Sequence, residues 1–162
     1  MKYYVGIDNG VTGTIAVVDS EGTLHHWCRT PVTRTASFYK KNAYINRIHR
    51  TGLRKLLEPF KDKNVKVLME YPSINPTRFA SSISAAASFE ATWGVIEDMG
   101  LPVEFIPAIQ WQKALLPGKT GSFDTKKAST DLARRLFPRL RIPPTSDGDA
   151  LLLCEYARRN NL

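Results

Sequence analysis

Three carboxylates stand where an acid is hard to justify structurally. Asp8 ends the apolar run Tyr3-Tyr4-Val5-Gly6-Ile7, Glu70 ends Val65-Lys66-Val67-Leu68-Met69, and Asp149 opens Ala150-Leu151-Leu152-Leu153-Cys154. Carboxylates gathered in a dry cleft repel one another unless protons or cations compensate. Hard divalent ions that prefer oxygen ligands, Mg²⁺ or Mn²⁺, are the natural compensators. The chain as a whole carries a net charge of +8, with 23 Lys and Arg against 15 Asp and Glu. Acids collected at one site of a basic protein suggest metal-dependent work on a polyanion.

The elements that must position these acids follow from patterning. Strands are predicted over 2–8, 14–19 and 23–30, with turns at Asp8–Gly13 and Asp19–Gly22, which makes an antiparallel meander. Residues 31–43 read as a basic loop lying over a surface. Tyr44, Ile45, Ile48, Leu53, Leu56 and Leu57 fall at helical spacing, so a helix is predicted over 44–60. A fourth strand is expected over 65–71, an alanine-rich helix over 81–99 and a fifth strand over 102–106. Further helices are expected from about Pro107, over 124–137 and over 147–159, with irregular chain at 138–146. Strands joined through helices predict an α/β fold, a mixed five-stranded sheet flanked by helices.

At 162 residues the chain reads as a single domain, 1–162, with a real core. No apolar run approaches the span of a bilayer and no signal peptide opens the sequence, so a cytoplasmic protein without a membrane partner is expected. Cys28 and Cys154 form no framework and read as free thiols. His25 and His26 are neighbours on a strand and face opposite sides, so they cannot share a metal. With His49 they read as structural.

Each acidic motif is weak alone. Gly6-Ile7-Asp8-Asn9-Gly10 with Thr12-Gly13-Thr14 also fits a plain hairpin turn, or the phosphate loop of actin-like ATPases. Asp147 in Ser146-Asp147-Gly148-Asp149 fits a helix cap. In this order and with these intervals, however, the chain resembles the RuvC-type Holliday junction resolvases of the ribonuclease H-like superfamily. The resemblance covers nearly the whole chain. It rests on Gly6-Ile7-Asp8, Leu68-Met69-Glu70, Pro107-Ala108-Ile109-Gln110-Trp111-Gln112-Lys113, Lys126-Lys127-Ala128, Leu136-Phe137-Pro138 and Asp149-Ala150-Leu151. The small size points to a phage-type or similarly divergent member, working in a bacterial or phage-infected host cytoplasm.

That resemblance implies a ribonuclease H-like fold and a homodimer resolving four-way or branched DNA by paired nicking, leaving 5′-phosphate and 3′-hydroxyl ends. It implies two Mg²⁺ ions per site, with Mn²⁺ substituting, held by Asp8, Glu70 and Asp149; one activates water and the other stabilises the departing oxygen. The family's fourth acid falls at Ser146 here, and the acid sits at Asp147. From a regular helix, Asp147 and Asp149 lie roughly 200° apart and cannot face one metal. Either Gly148 breaks that regularity and turns Asp147 inward as a ligand, or Asp147 is a cap.

The resemblance also places Lys113 and Lys127 near the scissile phosphate, with Lys126 as neighbour; Lys119, in the 117–121 loop, is a further candidate to join them. Arg34, Lys40, Lys41 and Arg78 are candidates for the junction arms. The family stacks an aromatic on the opened crossover three residues after the second acid, and Ser73 stands there. Tyr71 or Phe79 substitutes, or either packs in the core, as Trp93 and Trp111 are expected to do. Two alternatives accompany the nuclease reading: a catalytically weak junction-binding protein of the same fold, and an actin-like nucleotide-binding lobe.

Overall fold

The computed structural model describes residues 1–118, 122–144 and 146–162, without the side chains of 122–124. Its central sheet is built from β1 (Lys2–Ile7), β2 (Thr14–Asp19), β3 (Leu24–Arg29), β6 (Asn64–Glu70) and β7 (Val103–Ile106), in the order β3-β2-β1-β6-β7. The first three strands form the expected antiparallel meander, and β6 and β7 add in parallel. β1 and β6 run side by side in register from Lys2 opposite Asn64 to Ile7 opposite Met69, so Asp8 and Glu70 leave the sheet at the same end.

Both faces of the sheet are covered, which is why β1, β2 and β6 read as near-continuous apolar runs rather than alternating ones. Side chains still alternate between two cores. Tyr4, Ala16, Val18 and Leu68 face α3 (Ala108–Leu115), α4 (Ser122–Leu136) and α5 (Asp149–Arg159). Val5, Ile7, Ile15, Val17, Val67 and Met69 face α1 (Arg50–Leu57) and α2 (Phe79–Asp98). Among the described residues no helix is long and apolar enough to cross a membrane. Cys28 and Cys154 are free, and Cys154 is buried with its thiol directed at the carbonyls of Tyr4 and Ala16.

One stretch departs from expectation. Residues 31–43 are not a loop and 44–48 are not helix: β4 (Val32–Ala36) and β5 (Tyr44–Ile48) pair as an antiparallel hairpin separate from the main sheet. Tyr44, Ile45 and Ile48 fit a helical stripe, but so short a run does not separate period 3.6 from period 2. The β-branched Val32, Thr33, Thr35, Ile45 and Ile48 suit paired strands. Asn42, at φ 56°, takes the left-handed conformation that turns the chain. The amide of His49 donates to the carbonyl of Pro31 and closes the base, after which only Arg50–Leu57 remains helical. Two smaller shifts concern helix starts: α2 begins at Phe79 rather than Ser81, and α5 at Asp149 rather than Asp147.

A carboxylate cluster at the strand ends

Two glycines bring the acid-bearing elements together. A methyl group on Gly6 would fall onto the carbonyl oxygen of Ala150 and within 3.0 Å of the amide nitrogen and Sγ of Cys154. Bare backbone at Gly6 therefore lets α5 lie directly on β1, which sets Asp149 beside Asp8. A methyl on Gly148 would fall onto Cβ of Ala133, so the start of α5 sits equally close against α4. The turn after β1 is anchored by the Asp8 amide donating to the Thr14 carbonyl at 3.1 Å. Asn9 then reaches across to α2, its Nδ2 donating to the Ala85 carbonyl at 3.2 Å.

Asp8, Glu70, Asp147 and Asp149 share one electrostatic neighbourhood. Burial, then the nearby charges of Asp147, Asp149 and Glu70, hold the Asp8 carboxyl well above the usual carboxylate range, against the opposing pull of Lys126. Glu70 is pushed up to about 7, chiefly by burial and then by Asp149 and Asp147. The buried indole N–H of Trp111 acts in the other direction on Glu70, although it closes no hydrogen bond of ordinary geometry. Asp149 is pushed up to about 6 by burial and Asp147, opposed by the hydroxyl of Ser129 and by Lys126. Ser129, itself buried, donates through Oγ to Oδ1 of Asp149.

Because α5 begins at Asp149, Asp147 lies before the helix and the 200° separation does not arise. Its Oδ1 accepts a long hydrogen bond, 3.4 Å, from the amide of Asp149, while its charge acts on the other three acids. Asp147 is thus a partner of the helix start and a member of the cluster at once. Ser146, at the family's fourth-acid position, accepts from Nε of Arg29 at 3.0 Å.

Four carboxylates form an all-oxygen donor set, and their mutual repulsion marks a place where positive charge is favourable, so in kind they fit hard divalent cations. Among the described residues no three Asp, Glu, His or Cys side chains are already gathered as a metal-holding group.

The basic residues distribute unevenly. Lys126 is the cation whose field opposes the repulsion at both Asp8 and Asp149. Lys127 follows it on α4 and lines a cleft of about 520 Å³ together with Lys126, Arg134 and Asp147. Lys113 is exposed on α3, and Lys119 lies outside the described residues. Arg34, Lys40 and Lys41 are exposed on the hairpin, and Arg78 precedes α2. Tyr71 stacks on Phe89, 6.2 Å between ring centres at 17°, and also meets Phe105, so one of its faces belongs to the core. Phe79 is exposed, Trp111 is fully buried and Trp93 packs against Phe89 and Phe105. The histidines stand apart from the acids in role, His25 pairing with Asp19 at 2.8 Å.

Sequence reasoning passed over Ser129, Asn9 and the contact of Trp111 with Glu70. Ser129 had a signal: it lies on the stripe Ser129-Leu132-Ala133-Leu136, where a buried polar residue needs a partner.

No family model matches the chain, and no curated protein matches it by sequence. Solved structures do match in fold, two RuvC structures among them. One is T. thermophilus RuvC in complex with a Holliday junction substrate, with a TM-score of 0.68 at 16% identity over 99% of this chain and 96% of that one. The other is a Thermus thermophilus RuvC structure, with a TM-score of 0.60 at 15% identity over 98% and 96%. From its meander through its last helix, the chain has the ribonuclease H-like fold of the RuvC Holliday junction resolvases.

Proposed function

We propose that this protein is a structure-selective endodeoxyribonuclease that nicks four-way or branched DNA in pairs and leaves 5′-phosphate and 3′-hydroxyl ends. The observation carrying the reading is the gathering of Asp8, Glu70, Asp147 and Asp149 at the shared end of β1 and β6 in a chain of RuvC fold, where burial and neighbouring acids raise Asp8, Glu70 and Asp149. A structure with one solved neighbour in complex with a Holliday junction supports that class of substrate.

A pair of Mg²⁺ or Mn²⁺ ions held by Asp8, Glu70, Asp149 and Asp147 would supply an activated water and charge relief at the departing 3′ oxygen. The chain's own residues set the conditions. Asp8, on the central strand, is the bridging position between the Glu70 side and the Asp149 side. Ser129 holds Oδ1 of Asp149 and orients that carboxylate for the cleft. The buried indole of Trp111 directs its N–H toward Glu70 and favours its ionised form. Lys126, Lys127 and Lys113 receive the phosphodiester backbone, which neutralises charge without reading sequence.

Paired nicking needs two sites of opposite polarity, which an isologous dimer supplies. In the alanine-rich stretch of α2 from Ser81 to Thr92, the exposed Ser81 and Ala86 offer a low surface on which a second copy's helix can approach closely.

The test uses a labelled synthetic four-way junction and a matched linear duplex in Mg²⁺, Mn²⁺ or EDTA, with wild type and Asp8→Asn. Metal-dependent symmetric nicking of the junction, lost in Asp8→Asn, is the expected result. Equal cutting by both proteins overturns the site, and binding without cutting in either metal leaves a junction-binding protein instead.

A further inference from the structure

Within the carboxylate cluster, Asp8 is held differently from the other acids. Ser129 donates to Asp149, the amide of Asp149 donates to Asp147, and the indole N–H of Trp111 is directed at Glu70. What acts on Asp8 is burial and the charge of its neighbours. Its aim therefore falls to the backbone that carries it, which leaves β1 and enters the turn Asn9-Gly10-Val11-Thr12-Gly13.

That turn is closed on itself. The Asp8 amide donates to the Thr14 carbonyl at 3.1 Å and the Gly13 amide to the Gly10 carbonyl at 3.2 Å. The Asp8 carbonyl lies where a side chain on Gly13 would begin, and the Thr30 amide steadies the far end by donating to the Gly13 carbonyl at 3.0 Å. The near end, which carries Asp8, could still rock against α2. Packing does not prevent it, because a cavity of about 180 Å³ opens between Val11 of the turn and Ser84, Ala87 and Ser88 of the helix. Across that gap the tie is Asn9, whose Nδ2 donates to the Ala85 carbonyl at 3.2 Å.

The choice of asparagine is informative. Position 9 does not take the left-handed conformation that asparagine tolerates; among the described residues Asn42 and Asn161 do. Half of its amide is idle, since Oδ1 is buried without a hydrogen-bond partner among the described residues, which is destabilising. A carbonyl inside a regular helix already accepts from the amide four residues on, so Ala85 does not depend on Asn9. Leucine, close to asparagine in shape, would fill the space without the orphan oxygen, but it would supply no donor to α2. Aspartate would set an acceptor against the Ala85 carbonyl and add charge beside the cluster.

We infer that Asn9 is the positioning residue for Asp8: its bond to the Ala85 carbonyl fixes the turn after β1 against α2 and so holds the Asp8 carboxylate in the aim that cation binding and strand cleavage require. The assignment rests on the reading of Asp8 as the bridging acid of a nuclease site. Asn9 acts through Asp8 and not on the substrate, and it makes the aim of Asp8 depend on where α2 sits.

The test compares wild type with Asn9→Leu and Asn9→Ala, each as the whole chain. Hydrogen exchange in EDTA reads the turn without any cation: amides over 8–13 should exchange up to about tenfold faster in both variants, the weight of one hydrogen bond, with α5 unchanged. Urea unfolding in EDTA should show Asn9→Leu no less stable than wild type, as removal of an orphan acceptor allows. Raising the melting temperature of either variant should need about tenfold more Mg²⁺. On a four-way junction, kcat should fall by about 10- to 100-fold with KM unchanged. Unchanged exchange over 8–13 in both variants overturns the assignment, as does a looser turn with unchanged Mg²⁺ requirement and kcat. So does a loss of global stability in Asn9→Leu that accounts for the lost nicking, or a raised KM with kcat kept, which would make Asn9 a substrate contact. If the turn loosens and the Mg²⁺ requirement rises while no protein, wild type included, cuts in Mg²⁺ or Mn²⁺, the nuclease reading fails and the positioning of Asp8 stands.

Discussion

The carbonyl oxygen of Ala150 rests against the bare α-carbon of Gly6, in the space where any side chain on that residue would begin. This one approach sets the spacing between the strand that ends in Asp8 and the helix that begins with Asp149. The obstacle is backbone, which cannot swing aside as a long side chain can. Gly6→Ala is therefore expected to lower stability by about 2–3 kcal/mol, the range of an overpacked core. It should also cut junction nicking by more than the loss of folded protein explains, because α5 must ride outward. Urea unfolding and nicking rates normalised to folded protein would measure the two effects. Wild-type stability with normal activity would show that the helix does not depend on this approach.

Glu70 holds its proton to about pH 7 in the folded protein, whereas an unfolded chain loses it near the ordinary glutamate value of 4.5. Between those values the native state binds more protons than the unfolded state, so native stability falls as pH rises through that window. Asp149, raised to about 6, adds to the same trend over a lower range. The metal-free protein should accordingly lose on the order of 2–3 kcal/mol between about pH 4.5 and 7 from the Glu70 shift. Glu70→Gln cannot ionise and should be more stable than wild type at neutral pH, with a flatter profile. Millimolar Mg²⁺ should raise the wild-type melting temperature and leave that of Glu70→Gln nearly unmoved. A wild-type profile that rises from pH 4.5 to 7 in EDTA, with no advantage for the glutamine variant, would contradict the repulsive cluster.

What the sequence discloses about this cluster depends on contrast. Asp8, Glu70 and Asp149 were legible because each interrupts an apolar run, and buried runs on β1, β6 and α5 announce themselves by composition. Parallel pairing of β1 with β6, which sets Asp8 and Glu70 at one end, follows from the strand-helix-strand order. The hairpin was hidden because the four-residue spacing of Tyr44 and Ile48 fits both a helix turn and one face of a strand, and only pairing with β4, Val32 opposite Ile48, separates the two. Ser129 was hidden for another reason: its partner lies 20 residues away on a different helix. Such a contact is a property of packing, and Gly148 against Ala133 is the packing that creates it.

Adjacent lysines on α4 offer a direct comparison. Lys126 opposes the repulsion at Asp8 and Asp149, while Lys127 also faces a second cleft lined by Leu115, Leu116 and Arg135. Lys126→Ala should therefore reduce single-turnover nicking by about 10- to 100-fold, as expected for losing a preorganised charge of roughly 1.4–2.7 kcal/mol. Lys127→Ala should act mainly on binding and be recovered at saturating junction. Lys126→Ala should also raise the apparent pKa of the acid limb of the pH–rate profile, since its field favours ionised Asp8 and Asp149. Equal single-turnover rates for the two variants would show that position on the helix is irrelevant.

Asp147 tests whether the fourth acid is supplied from outside the helix. Its carboxylate lies before α5, accepts from the Asp149 amide at 3.4 Å, and raises Asp8 and Asp149 through its charge. If it serves only as a cap, Asp147→Asn retains an accepting oxygen and Asp147→Ser retains cap chemistry, so both should nick normally. If it completes the donor set, both variants should need more Mg²⁺ for half-maximal nicking, and Asp147→Asn more than tenfold more. Restoring an acid at the neighbouring position, Ser146→Asp in the Asp147→Asn background, should not recover the wild-type requirement. Ser146 faces Arg29, its Oγ 3.0 Å from Nε, and a carboxylate there would pair with the guanidinium instead of the cluster. A Mg²⁺ titration of the four proteins on one junction decides between the roles, and recovery by Ser146→Asp would return the fourth acid to the position the resolvase pattern assigns it.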